Sequence, residues 1–187
     1  MWVRFPAMSD PPATTPFERF CDDFQPTWSS IFVGCNCANT LPRGWISSRD
    51  LDSFVQDRLR VSTDAEELTH ISRTLGLKPD SDPIEDIRAT LQPLSDFAGG
   101  DISRETRKWR VILLSEFLRT LPPDLLYALT ELTAFWVEWD LPDDCPHIVR
   151  GRGKALTANE YYTSAMLKSI LRAHREWIAK EIQLLAS

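Results

Sequence analysis

Few side chains in this sequence have the means to do chemistry: four cysteines, three histidines, and a knot of acids and aromatics near residue 140. Cys35 and Cys37 could join Cys145 and His147, of a Cys-Pro-His triplet, as thiolate and imidazole ligands of a zinc ion. Each pair encloses a single residue, whereas paired ligands in structural zinc sites are typically separated by about two to four. The spacing therefore predicts no metal and no cofactor. Cys21 is expected as a small core hydrophobe, and Cys35 and Cys37 in a loop that ends a helix. A disulfide is not expected in a reducing compartment.

Of the histidines, His70 falls opposite Leu68, Ile71 and Leu75 and is expected outside, while His147 lies in a loop. His174 projects into an apolar stripe formed by Met166, Leu167, Ile170, Leu171, Trp177, Ile178 and Leu185, with Glu181 on the same face. Such a polar pair is either a hydrogen-bonded core pair or an acid–base pair. No serine or cysteine is placed locally to make His174 a triad member.

The stretch RETRKWRVILLSEFL places Arg110 in the buried arc of Val111, Leu114, Phe117, Leu118 and Leu121, with Arg107 at its edge. A buried guanidinium must snorkel out or meet carboxylates, because an unpaired buried charge is very costly. The acids of VEWDLPDD, Glu138, Asp140, Asp143 and Asp144, are the expected partners. A structural Arg–carboxylate bridge is the leading reading, and an anion-binding arginine the sharper alternative. The same carboxylates could form a general acid–base pair or a hard-cation site, but their spacing is not that of an EF-hand, leaving a solvated acidic rim as the default. Phe135, Trp136 and Trp139 share a helix face with Leu125, Leu129 and Leu132; an aromatic that escapes this core would anchor a protein interface.

These residues must be positioned by helices. The 187 residues are 43% hydrophobic and 26% charged, enough for a sizeable core without a metal or disulfide staple. A net charge of −6 runs against general nucleic-acid binding, which needs clustered Lys/Arg. No apolar run approaches the ~20 residues of a membrane span, and the opening MWVRFPAMSDPPATTP lacks the apolar core of a signal peptide, so a cytoplasmic protein is expected. Residues 1–14 are expected to form a disordered tail, with Met8 as the native start. Residues 15–187 are expected to form one all-α domain, a compact bundle of about eight helices.

The helices are marked by caps. Thr15-Pro16 opens the first, and Trp28–Val33 forms another turn or two. Ser47 with Asp50, Thr63 with Glu66, and Thr157 with Glu160 read as capping boxes. Gly76 stands where a left-handed C-terminal residue belongs. A helix from Pro83 is expected to stop before Pro93, Ser103–Thr120 forms a strong helix, and another runs from Pro122-Pro123 to near Trp139. A proline-rich loop follows from Leu141 to Leu156, and one long helix spans Ala158–Leu185.

Four short motifs, TWSSIF (27–32), GWISSRDL (44–51), KWRVILL (108–114) and VEWDLPDD (137–144), occur in an order that resembles a small bacterial family of uncharacterised proteins, a domain of unknown function. The likeness runs from about Trp28 to Arg150. The VGCNCANTLPRG connection is longer than the family's direct run into Gly-Trp, and Ser48 stands where a first-turn proline is expected. The resemblance carries over no catalytic residue.

Small acidic helical proteins of this kind resemble immunity proteins of toxin systems. The leading expectation is a non-enzymatic module that binds another protein, such as a basic toxin domain, through Glu138, Asp140, Asp143, Asp144 and Trp139. A hydrolase or cation-dependent enzyme using the acidic loop and His174 is the alternative. Homodimerisation through the C-terminal helix is a third. Neither nucleic acid nor a membrane is expected as a partner.

Overall fold

The computed structural model describes residues 15–38, 44–150 and 156–186, so the expected tail and the Met8 start lie outside the described residues. Those residues form nine helices and no strand: α1 (Pro16–Asp23), α2 (Trp28–Gly34), α3 (Ser48–Val61), α4 (Ala65–Thr74), α5 (Ile84–Ala98), α6 (Ile102–Arg119), α7 (Leu125–Glu138), α8 (Ala158–Tyr161) and α9 (Ser164–Leu185). Among the described residues no helix is long and apolar enough to cross a membrane.

Local chemistry sets most of the boundaries. Thr15, Thr27, Ser47 and Thr157 each accept from the backbone N–H three residues on, and the residue there, Glu18, Ser30, Asp50 or Glu160, bonds back to the cap. These reciprocal bonds satisfy donors that a helix start leaves open. Gly76 and Gly99 adopt φ of 84° and 61°, where a side chain would be strained.

Three helices differ from expectation. Asp64, not Thr63, caps α4, accepting from the N–H groups of Glu66 and Glu67 at 2.9 Å. The buried face of α4 is therefore Glu67, Ile71 and Thr74; Leu75 is 52% exposed and His70 half-buried. Helix α5 continues through Pro93 to Ala98. Proline removes one N–H bond there, and the complete burial of Leu91 and Leu94 on either side outweighs it. The last helix is broken: Tyr162 and Thr163 leave helical geometry, and Thr163 caps α9 by accepting from Met166 N–H at 3.1 Å. What remains, 22 residues, is about 33 Å long.

Helix α6 is the axis. Every residue from Lys108 to Leu114 is buried, as suits a helix covered on all sides, and α1, α2 and α9 pack directly on it. Helix α5 packs on α2 and α4, and α7 packs on α9. The Trp109 indole donates to the Ser30 carbonyl at 2.8 Å, tying the axis to α2. A Cβ on Gly34 would collide with Trp109 Cζ2 and come within 2.6 Å of Ile46 Cδ1. Gly34→Ala is accordingly expected to destabilise the fold by about 2 kcal/mol through overpacking, seen as a lower urea midpoint with an unchanged slope.

Glu67 locks α4 to the rest. It is 3% exposed and accepts from Trp28 Nε1 at 2.7 Å, from Arg58 Nε at 3.1 Å and from the Ser62 hydroxyl. Burial pushes its carboxyl up, but the bonds from Ser62, Trp28 and Arg58 together outweigh that and hold it below the usual range.

Candidate functional site

The acids of the 138–144 segment sit on a turn built by the end of α7. Asp140 N–H reaches back to the Val137 carbonyl (3.0 Å) and Leu141 N–H to that of Trp136 (2.9 Å), the paired bonds of a Schellman C-cap. Asp140 and Leu141 have φ of 56° and 46°. Aspartate tolerates the left-handed region, but leucine there stores on the order of 1 kcal/mol, so the surroundings must hold it.

They do so through Arg110. Its guanidinium is 5.5 Å from the ring centre of Trp139 and 6.0 Å from that of Trp177, and it pairs with Asp144 at 3.4 Å. Asp144 also accepts from Trp177 Nε1 at 3.3 Å. Arg110 is 8% exposed; burial lowers its pKa, opposed by Asp144 and Glu181. Arg107 does not join the loop: it makes a two-pronged bond to Glu181 at 2.8–3.1 Å, which raises its pKa. Helices α6 and α9 are thus bridged directly by Arg107–Glu181 and by Arg104, which donates to the Leu185 carbonyl at 3.0 Å, and again through the turn.

Beneath lies a second layer. His174 is fully buried, accepts from Trp136 Nε1 at 2.8 Å, and its Nδ1 lies 2.7 Å from the Ile170 carbonyl. Only a neutral ring protonated on Nδ1 satisfies both contacts. Its pKa is lowered by burial, opposed by the Ile170 bond. The His147 ring stands 5.6 Å away, edge to face. Thr133 gives its hydroxyl proton to the Leu129 carbonyl, so its oxygen accepts from His147 Nε2–H at 2.8 Å. Burial, and to a lesser degree His174, push His147 down to about 4.

An open cleft of about 380 Å³ adjoins this layer, lined by Leu141, Pro142, Asp143, Cys145, His147, Ile148 and Val149. Asp143 is the one carboxylate in its wall and His174 is absent from it. The acid–base arrangement open to the sequence, His174 with two loop carboxylates in one pocket, is therefore not assembled there. Among the described residues no three His, Cys, Asp or Glu side chains gather as a metal would require, so Cys35, Cys37, Cys145 and His147 do not form one ligand set. Cys35 and Cys37 are buried at the end of α2, where burial raises the Cys35 thiol and pushes Cys37 up to about 12. Cys21 is exposed, because Phe17, Phe20 and Phe24 take the inner face of their segment.

Of the residues expected to meet a partner, Glu138, Asp140 and Asp143 are exposed, and their carboxylates make no hydrogen bond or ion pair among the described residues. Asp144 is half committed to Arg110 and Trp177. Trp139 is 9% exposed and serves the turn from beneath. Thr133 and Trp177 complete the framework. Trp177 was visible as a stripe residue, but nothing in the sequence pairs Thr133 with a histidine fourteen positions on.

Over residues 17–182 the chain matches a bacterial family described as an uncharacterised protein conserved in bacteria, DUF2247. The chain belongs to this family. The match extends past the four motifs into α9, which the motif likeness, ending near Arg150, left out. No curated protein and no solved structure matches the chain.

The motifs that resemble DUF2247 do scaffold work here. Trp28, Ile31, Ile46 and Trp109 are core residues; Ser30 and Ser47 make caps, and Trp45 N–H bonds the Gly34 carbonyl. The fourth motif differs: it ends in the braced turn, where acids face solvent.

Proposed function

We propose that this protein is a non-enzymatic binding module, an immunity-type inhibitor that engages a basic toxin domain through the acidic turn after α7. The observation that carries the reading is a turn closed by two backbone bonds and paired to Arg110, whose three outward carboxylates, Glu138, Asp140 and Asp143, have no cation of their own among the described residues. Ion pairs made there on binding would not first have to break internal ones among the described residues, and the braced backbone reduces the ordering cost of association. Charge distribution points the same way. Between Arg119 and Arg150 the sequence has six acids and no Lys or Arg, which equals the net charge of the whole chain, −6. Asp144 and Trp139 act as supports of the surface.

The test is co-expression with the product of the neighbouring gene, scored by co-purification and by protection of the host. A complex that survives at low salt and protects supports the reading; no complex and no protection refutes it. Replacing the three free acids with Glu138→Gln, Asp140→Asn and Asp143→Asn is expected to weaken the complex at least tenfold, about 1.4 kcal/mol, with no loss of fold. Asparagine suits the left-handed position of residue 140, so the change removes charge without adding backbone strain.

A further inference from the structure

Helix α7 is apolar on both sides. Its inner face, Ala128, Leu129, Leu132 and Trp136, is buried against the bundle. Its outer face carries Leu126 (52% exposed), Tyr127 (64%) and Val137 (53%). Thr130 lies between them and turns its hydroxyl back to the Leu126 carbonyl at 2.8 Å. At helical spacing these four positions fall on one arc, about 16 Å long, with Glu131 and Glu138 along its edge. These apolar side chains are bordered by acids and run into the acidic turn.

We propose that the outer face of α7 is the docking surface, and that its occupant is an amphipathic helix of the partner, apolar on one side and edged with Lys or Arg. This rests on the reading above and adds the chemistry of the partner. Apolar residues of the incoming helix cover Leu126, Tyr127 and Val137, while its cations meet Glu131, Glu138 and the turn. A second copy of this chain is a poorer occupant. Two α7 faces set together would bring like charges into contact. The chain's own cations on the exposed side of α9, Lys168, Arg172, Arg175 and Lys180, are interrupted by Glu176, which pairs with Arg172 at 3.7 Å, so a second copy would offer α7 a mixed face and not a basic one.

The probe is a Leu/Lys helical peptide of about four turns, titrated into the full chain and followed by amide chemical shifts. Shifts are expected along residues 126–138 and the following turn. A Ser/Lys peptide of equal charge is expected to bind at least tenfold more weakly, and Tyr127→Glu to weaken the Leu/Lys peptide by a similar factor. Tyr127 is largely exposed, so that variant keeps its fold, checked by circular dichroism. Shifts centred elsewhere, equal binding of the two peptides, or unweakened binding by Tyr127→Glu would each overturn the proposal. So would self-association abolished by Tyr127→Glu, which assigns the face to a second copy. The two readings separate with the co-expressed partner. If the three neutralised acids weaken the complex and Tyr127→Glu does not, the acidic turn stands and the α7 face falls.

Discussion

Arg110→Ala is expected to cost about 3–4 kcal/mol and to release the turn that carries the free acids. The change removes a cation lying against two indoles and leaves a cavity between α6 and α9. Arg110→Met separates the terms. Methionine refills most of the volume, and Asp144, with 44% of its side chain already exposed, can turn to water. Its expected loss of global stability is below about 1.5 kcal/mol. Faster amide exchange over residues 140–145 should nonetheless appear in both variants, because neither holds the left-handed Asp140–Leu141 step in place. Urea denaturation with residue-resolved exchange measures both quantities. Unchanged exchange in Arg110→Met would show that the turn is held by its own backbone bonds.

The second large effect is on pH. Unfolded, the His147 imidazole takes up a proton near 6.5; folded, it stays neutral until about 4. Between these values the unfolded chain binds more protons, so folding stability falls as pH falls through this window and levels off below it. The interval corresponds to about 3 kcal/mol lost from this residue. His174 shifts in the same direction for the same reason, burial, and adds to the slope. Carboxylates such as Glu67, held below their usual range, lose their contribution only at lower pH, so the interval from 6.5 to 5 reports chiefly on the histidines. Denaturation at several pH values checks this. His147→Gln, which can still donate to Thr133, is expected to flatten the slope by roughly one proton. A slope unchanged by that substitution would mean that His147 is already charged, or exposed, in the folded protein.

How much of this was legible in the sequence depends on the range of the interaction. Caps at Thr15, Ser47 and Thr157 could be read because donor and acceptor lie three residues apart. Pro93 and the Ala158–Leu185 segment misled for opposite reasons. A helix breaker was overridden by burial of Leu91 and Leu94, and a periodic stripe was cut by a second cap at Thr163, two residues after α8 ends. At the site, the placement of Arg110 on an apolar arc demanded a carboxylate, and the nearby acids narrowed the choice. Which acid, and the two indoles against which it lies, depend on how α9 packs on α6. The Trp136–His174 bond and the His147–Thr133 contact likewise join segments whose approach no local pattern encodes. The exposed face of α7 was hidden by its own composition, since leucine, tyrosine and valine at helical spacing read as core whichever way they turn.

Binding of a basic protein by the braced acidic turn, as proposed, is measured by calorimetric titration of the intact protein with the purified product of the neighbouring gene at low and at physiological ionic strength. The same titration is then repeated with Glu138, Asp140 and Asp143 neutralised together. A one-to-one complex is expected, weakened by salt, that loses at least tenfold in affinity when the three charges are removed. Absence of a complex, or affinity indifferent to both salt and the three acids, would contradict it.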